Sequence, residues 1–318
     1  MASVGGFRLF TLIAAILIGS ALGLGATSTV LTQRAEARFP PEGKFVEVGG
    51  ARLHVAETGQ GRPIVVIHGA FGAAQDVTAT LFPVAPPGWH LIAPDRPGHG
   101  YSTRPSGPVT PADQARLLHD AVRKMGIERP IVVGFSYGGA VALAWALQYP
   151  DEVPGLVLLN GASYPWDSPT ALIYDIAGAP VVGPVMNHLV VPAVGALLLD
   201  AGGANAFKPE PVPELFTEKA PLPLTIRPAS FAANAEDVRE LKEFLRAQSR
   251  RYGELKMPVT IVIADQDNSV GPDIHGRALH RDVPQSKLVV IPGAGHPVLY
   301  AHRDVVMNSI REMVTATR

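Results

Sequence analysis

Residues 134–138 read Gly-Phe-Ser-Tyr-Gly, where the apolar run IVVGF ends and the small-residue segment GGAVALA begins. A serine hydroxyl is a weak nucleophile near neutral pH. To attack a carbonyl it needs a base to take its proton, an acid to orient that base, and N–H donors for the developing oxyanion. The pentapeptide is weak evidence by itself. With 32 glycines in 318 residues, chance supplies roughly 0.2 matches per chain. The partners must carry the case for Ser136.

Among ten histidines, His296 stands apart. It lies in IPGAGHPVLY, in a glycine-flanked loop directly after the last apolar run. His68 also follows such a run, but it precedes Ser136 and opens the segment His68-Gly69-Ala70-Phe71-Gly72. The acid follows VTIVIA, where Asp265 and Asp267 both occur. Asp267 lies further into the loop and is preferred, and Asp265 is expected to stabilise the turn or meet solvent. The residue after GLVLL is Asn160, which carries no charge to hold an imidazolium. The oxyanion donors are expected to be the Tyr137 N–H, at a helix N-terminus, and the Ala70 N–H. His68 then holds the Ala70 loop in place. Phe71, Tyr137, Tyr164 and Trp166 are candidates to line a pocket, although core packing accounts for aromatic residues equally well. Gly134 and Gly138 are expected to let the backbone turn sharply around Ser136.

These residues need a scaffold, and the pattern around them supplies one. KFVEVGGARLHVAET alternates about Gly49-Gly50, as a hairpin does. PIVVIHG and HLIAPDRPGHG contain continuous apolar runs, as strands buried on both faces do. Thr110-Pro-Ala-Asp113 resembles a capping box opening a helix through Lys124. A helix from Gly138 to about Gln148, the strand GLVLLN, the strand VTIVIAD, a helix near His275–His280, the strand KLVVIPG and a helix from about Arg303 complete the alternation. Strands separated by helices imply a mostly parallel sheet covered on both faces. Ligands bind such sheets beyond the C-terminal strand ends. That rule selects the loops opening at His68, Asp95, Ser136, Asn160, Asp265 and Gly293.

Residues 161–253 interrupt the alternation. Residues 171–199 are apolar with one formal charge, Asp175. Pro180, Pro184, Pro192 and His188 favour short apolar helices over a second membrane span. A proline-rich stretch follows, then an amphipathic helix presenting Val238, Leu241, Phe244 and Leu245 on one face. The insertion reads as a helical cap. The expected division is an N-terminal segment at 1–36, a core at 37–160 and 254–318, and the cap at 161–253.

The N-terminal segment is uncharged from Leu9 to Gln33. About twenty helical residues span the hydrocarbon of a bilayer. The preferred reading is an uncleaved membrane anchor through residues 9–30. A cleaved signal, with small residues near Ala26 or at Ala35-Glu36-Ala37, is the alternative. Either implies membrane attachment or export. A soluble helix is a third reading, disfavoured because no polar face is seen. Net charge is −1 with no basic block, so nucleic acid is not an expected partner. The absence of cysteine excludes thiol catalysis, disulfides and Cys-ligated zinc. The serine chemistry needs no metal or organic cofactor. Oligomeric state is not legible.

The order Ser136, Asp267, His296, with a strand–elbow–helix setting, is one known arrangement. From about Gly43 onward the chain resembles the α/β-hydrolase superfamily, in its lidded branch. The residues that carry the likeness are HGAFG, DRPGHGYS at 95–102, GFSYGG, ADQD with the later Pro272, and GAGH. Ala264 departs from the more usual glycine, which leaves Asp267 untouched. The resemblance implies an eight-stranded-type sheet with a cap after the sixth strand, and structural roles for Asp95 and His99. Relatives that open epoxides or remove halides use a carboxylate nucleophile; serine leaves ester hydrolysis, carbon–carbon bond hydrolysis, proline-releasing peptidases and cofactor-free perhydrolases. Pro297 stands where carbon–carbon hydrolases usually carry an aromatic residue. The peptidases' Gly-Gly-Ser-Trp-Gly is not present. The resemblance therefore favours a carboxylic ester hydrolase acting on a small lipophilic ester, with a non-enzymatic binding role as the remote alternative.

Overall fold

The computed structural model describes residues 2–107 and 109–317. A helix, α1 (Ala2–Arg38), leads into strands β1 (Lys44–Val48), β2 (Ala51–Gly59) and β3 (Arg62–Ile67). The alternation continues through α2 (Ala74–Thr80), β4 (Trp89–Pro94), α3 (Pro111–Lys124), β5 (Ile131–Phe135), α4 (Tyr137–Gln148) and β6 (Leu156–Leu159). Six helical pieces follow: α5 (Leu172–Ala177), α6 (Val182–Val185), α7 (Val191–Phe207), α8 (Glu214–Lys219), α9 (Leu222–Thr225) and α10 (Pro228–Gln248). Then come β7 (Val259–Ala264), α11 (Gly276–Asp282), β8 (Lys287–Ile291), α12 (Val298–Ala301) and α13 (Arg303–Ala316). The expected capping box is present at α3, where the Thr110 hydroxyl accepts from the Asp113 N–H.

The eight strands form one sheet in the order β1-β2-β4-β3-β5-β6-β7-β8. Only β2 runs antiparallel to its neighbours, pairing with β1 and β4; the remaining pairs are parallel. The runs are apolar throughout because both faces are covered. Val65 and Ile67 pack on one side with α3 and α4, while Ile64 and Val66 pack on the other with α2 and α13. Each fully buried Val or Ile contributes about 1.5–3 kcal/mol against exposure, so the register is strongly fixed. Ile67 aligns with Gly134, Phe135 with Leu159, Leu159 with Val262, and Ala264 with Ile291. The loops after β3, β5, β7 and β8 therefore leave one edge of the sheet.

The helices of residues 172–248 lie beyond that edge. Short pieces were expected over 171–199; instead α6, a π-turn at Met186–Val190 and α7 join into one helical run, Val182–Phe207. Proline lacks an N–H and is tolerated in a first helical turn. Pro192 occupies such a position in α7, directly after the π-turn. The run therefore continues through its prolines without ending.

Candidate active site

Ser136 sits at φ 53°, ψ −121°, between the last residue of β5 and the first of α4. This region is sparsely populated for residues with a side chain. Ser136 itself, and not a flanking glycine, takes the strained turn. Gly134 and Gly138 are absent from the positive-φ glycines. Their role is clearance, which corrects the expectation from sequence. A methyl at Gly138 would meet the Ile67 and His68 carbonyl oxygens at 2.3 and 2.6 Å, and one at Gly134 would meet the Gly138 oxygen at 2.4 Å.

The three residues separated by up to 160 positions come together. The Ser136 hydroxyl donates to His296 Nε2 at 2.9 Å. His296 Nδ1–H donates to Asp267 Oδ2 at 2.6 Å. The other Asp267 oxygen accepts the Ser269 and Val270 N–H groups at 2.8 and 2.9 Å. One oxygen is thus fixed by its own loop and the other is committed to the imidazole. Asp265 accepts the Gly293 N–H at 2.6 Å and holds the turn. Asn160, also at positive φ (45°), donates to the His296 carbonyl at 2.8 Å and accepts the Ala264 N–H at 2.8 Å. It ties the loop of His296 to the end of the strand before Asp267.

Across from Ser136, the Phe71 N–H is taken by Asn234 Oδ1 of α10 at 2.9 Å. Among the described residues, neither the Ala70 nor the Tyr137 N–H is engaged in a hydrogen bond. His68 is wholly buried; its Nδ1–H donates to the Gly69 carbonyl and its Nε2 accepts the Arg96 N–H at 3.0 Å. Burial, with Arg96 nearby, holds its pKa well below the usual histidine value, so it stays a neutral brace. Asp95 accepts from His54, Ala74 and Tyr101, and His99 accepts from Arg96. Both serve the scaffold.

A cavity of about 570 Å³ opens over Ser136 and His296. Phe71, Phe135, Tyr174, Leu198 and Phe231 contribute its apolar walls. No Lys or Arg lines it among the described residues. Tyr137, Tyr164 and Trp166 do not line it either. The Tyr137 ring is buried beneath the Arg96 guanidinium at 4.2 Å. Tyr164 donates its hydroxyl to Asp282 at 2.5 Å and packs on Tyr252, and Trp166 faces His275. Aromatic type in a post-strand loop does not say which way a ring points.

Several contributors carried no signal in the sequence. Asp76 lines the same cavity as Ser136, half-buried, with the Tyr300 hydroxyl donating to it at 2.6 Å. Burial raises its pKa to about 6. Asp237 of α10 receives Arg96, Arg104 and Gln114. It joins the insertion to the Tyr137 elbow and, through Arg96, to the Gly69 carbonyl at 3.1 Å. The His296 N–H donates to the Ala206 carbonyl of α7 at 2.9 Å, and Gly295 N–H to Glu210 at 2.9 Å.

Residues 62–179 match the family model of the alpha/beta hydrolase fold. The chain is 30% identical over 274 residues to a 2-hydroxy-6-oxo-6-phenylhexa-2,4-dienoate hydrolase of Burkholderia cepacia, covering 80% of this chain and 87% of that protein. The chain belongs to the α/β-hydrolase family. This hydrolase is also 26% identical over 286 residues to lipase 1 of Psychrobacter immobilis, covering 85% and 83% of the two chains. Its fold is that of an esterase from Exiguobacterium antarcticum, with a TM-score of 0.69 at 20% identity, covering 86% of this chain and 99% of that one. In this α/β-hydrolase the expected eight-stranded, mostly parallel sheet is present.

Proposed function

We propose that this α/β-hydrolase cleaves carboxylic esters with a lipophilic acyl or alcohol part, using Ser136 as nucleophile, His296 as base and Asp267 as its orienting acid. The observation that carries the reading is the unbroken chain from Ser136 through His296 to Asp267 at the floor of an apolar cavity. In the first half-reaction His296 takes the Ser136 proton as Oγ bonds to the ester carbon. The negative oxygen is received by the Ala70 and Tyr137 N–H groups. The carbon–oxygen bond then breaks, and His296 returns the proton to the departing alcohol. In the second half-reaction water attacks the acyl-Ser136 ester and gives up its proton to His296. The acid leaves and the serine hydroxyl is restored.

A second reading, carbon–carbon bond hydrolysis on the same residues, is favoured by the name of the Burkholderia relative. The cavity weighs against it. A dienoate substrate carries a carboxylate, and the cavity offers Asp76 but no Lys or Arg among the described residues. Steady-state turnover of p-nitrophenyl butyrate, beside ultraviolet-monitored cleavage of a 2-hydroxy-6-oxo-dienoate, tests the choice. Ester turnover abolished by Ser136→Ala and no dienoate cleavage is the expected result; dienoate cleavage that exceeds ester turnover rejects it.

Residues 1–36 supply a membrane anchor through 9–30, residues 37–160 and 254–318 the catalytic core, and 161–253 a cap that roofs the cavity. The apolar part of α1 stands clear of the sheet, with Leu9, Phe10, Leu17 and Leu22 each more than half exposed. Membrane fractionation of the full chain tests the anchor, and recovery wholly in the soluble fraction rejects it.

A further inference from the structure

We propose that the outer face of the cap, from Leu172 through Leu198, is a second membrane contact that seats the cavity mouth on the bilayer, so that the substrate is an ester dissolved in the lipid phase. The proposal rests on the ester-hydrolase and anchor readings above and specifies where their substrate comes from.

The face is an exposed run of large apolar side chains. Leu172 is 68% exposed, Val181 80%, Leu197 82% and Leu198 60%, with Ile173, Val182, Val185 and Val194 between them. Asp175 and His188 are the chargeable residues of this stretch besides Tyr174; Asp200 follows it, and Arg239 of α10 packs against Gly178. Such a face is a liability in water and points to an apolar partner. Four features identify that partner as the bilayer that α1 enters.

The first is depth. About twenty helical residues cross the hydrocarbon, which takes α1 from Leu9 to near Ser28. A methyl on Gly25 would touch Leu189 at 3.7 Å. The π-turn at Met186–Val190 is therefore level with the last turns of the apolar segment. The second is direction. The crevice between α1 and the cap is lined by Leu31 and Arg38 from α1, and by Pro192 and Asp200 from α7. The two helices thus stay side by side as they leave the apolar zone, and basic residues Arg34 and Arg38 follow where a headgroup layer would begin.

The third is access. Leu198 is exposed on the apolar face and also lines the cavity above Ser136. Leu199 and Ile226 line both the α1 crevice and that cavity. Apolar side chains thus link the lipid-facing surface to the cavity that holds the reacting serine. The fourth is coupling. The far end of α7 holds the base loop through the Ala206 carbonyl and the His296 N–H, and the Asn205 carbonyl accepts from Asn268 beside Asp267. One helix, α7, thus connects the proposed membrane face to both loops.

The chain contains no cysteine, so single cysteines can be placed cleanly. Full-length protein carrying Leu17→Cys, Val181→Cys, Leu197→Cys or Glu128→Cys is labelled with a nitrobenzoxadiazole probe. It is then reconstituted into phosphatidylcholine–phosphatidylglycerol vesicles containing nitroxide-labelled lipid. The expected result is quenching at 17, 181 and 197 and none at 128, which lies near the opposite edge of the sheet. Quenching at 17 without quenching at 181 and 197 overturns the proposal and leaves the anchor standing. No quenching at 17 removes the anchor reading as well.

A second arm uses V181D/V185D/L197D, three exposed positions outside the cavity lining. Turnover of a long-chain ester embedded in vesicles should fall about tenfold or more, since charges oppose interfacial seating, while turnover of soluble p-nitrophenyl acetate is unchanged. Unchanged turnover of both substrates, or an equal loss on both, overturns the proposal. A wild-type chain inactive on the soluble ester rejects the ester-hydrolase reading itself, whatever the probes report.

Discussion

Ser136 occupies a backbone conformation that costs about 1–3 kcal/mol for a residue with a side chain. The surrounding structure enforces it: the Ser136 N–H donates to the Leu159 carbonyl, and its own carbonyl accepts from Gly139 and Ala162. Ser136→Gly should therefore abolish ester turnover and raise stability by about 1 kcal/mol, read as a higher urea midpoint. Asp267→Asn keeps an oxygen and a similar shape, but its amide can donate to His296 and favour the wrong imidazole tautomer. Turnover should drop about 10³–10⁴-fold while KM changes little; a loss below tenfold would remove Asp267 from the proposed mechanism. Most of this site was legible from chain order and strand-end placement. Ser136, Asp267, His296 and Ala70 follow four different strands whose apolar runs announce where each loop begins. Tyr164 and Trp166 were misplaced because a loop's side-chain direction depends on packing partners far along the chain, here Tyr252, Asp282 and His275.

At the scale of elements, α10 is fastened to the core by charge. Asp237 has a fully buried carboxylate facing Arg96 and Arg104, and its partner Arg96 is equally buried. A buried pair of this kind adds little net stability over an apolar contact, yet removing one member leaves uncompensated charge. Asp237→Ala should cost about 3–5 kcal/mol in chemical denaturation. Asp237→Asn should cost less, because it retains an acceptor for Arg96. Equal losses in the two variants would show that charge is not what holds α10. The amphipathic pattern of 238–245 announced a helix but not this latch. Asp237 reads as one more polar residue on an exposed face until the fold brings Arg96 beneath it. The run Val182–Phe207 was also obscured, because prolines that end most helices are here accommodated by a π-turn and a first-turn position.

Over the whole molecule, buried titratable groups give stability a distinct pH dependence. Burial pushes His54 down, but its hydrogen bond and attraction to Asp95, with the Glu42 carbonyl on the other nitrogen, raise it overall. A raised histidine stabilises the fold below the unfolded value of about 6.5, and that contribution disappears as pH climbs through the folded value. Asp76, raised to about 6 by burial, follows the same sign at lower pH. Its contribution is present below about 4 and is lost as pH rises through about 6. Denaturation midpoints measured across this range should show two separable declines. Asp76→Asn should remove the lower and His54→Gln the upper; a profile unchanged by both variants would contradict these assignments. Neither group was legible in the sequence, since burial is a property of the assembled sheet and loops.

The central claim is that Ser136 forms the acyl intermediate. A rapid-quench reaction with a p-nitrophenyl ester, followed by peptide mass mapping, tests it most directly. The acyl mass should appear on the peptide bearing Ser136, decay as free acid is released, and be missing in Ser136→Ala. Acylation of a different residue, or ester turnover that persists in folded Ser136→Ala, would contradict the account.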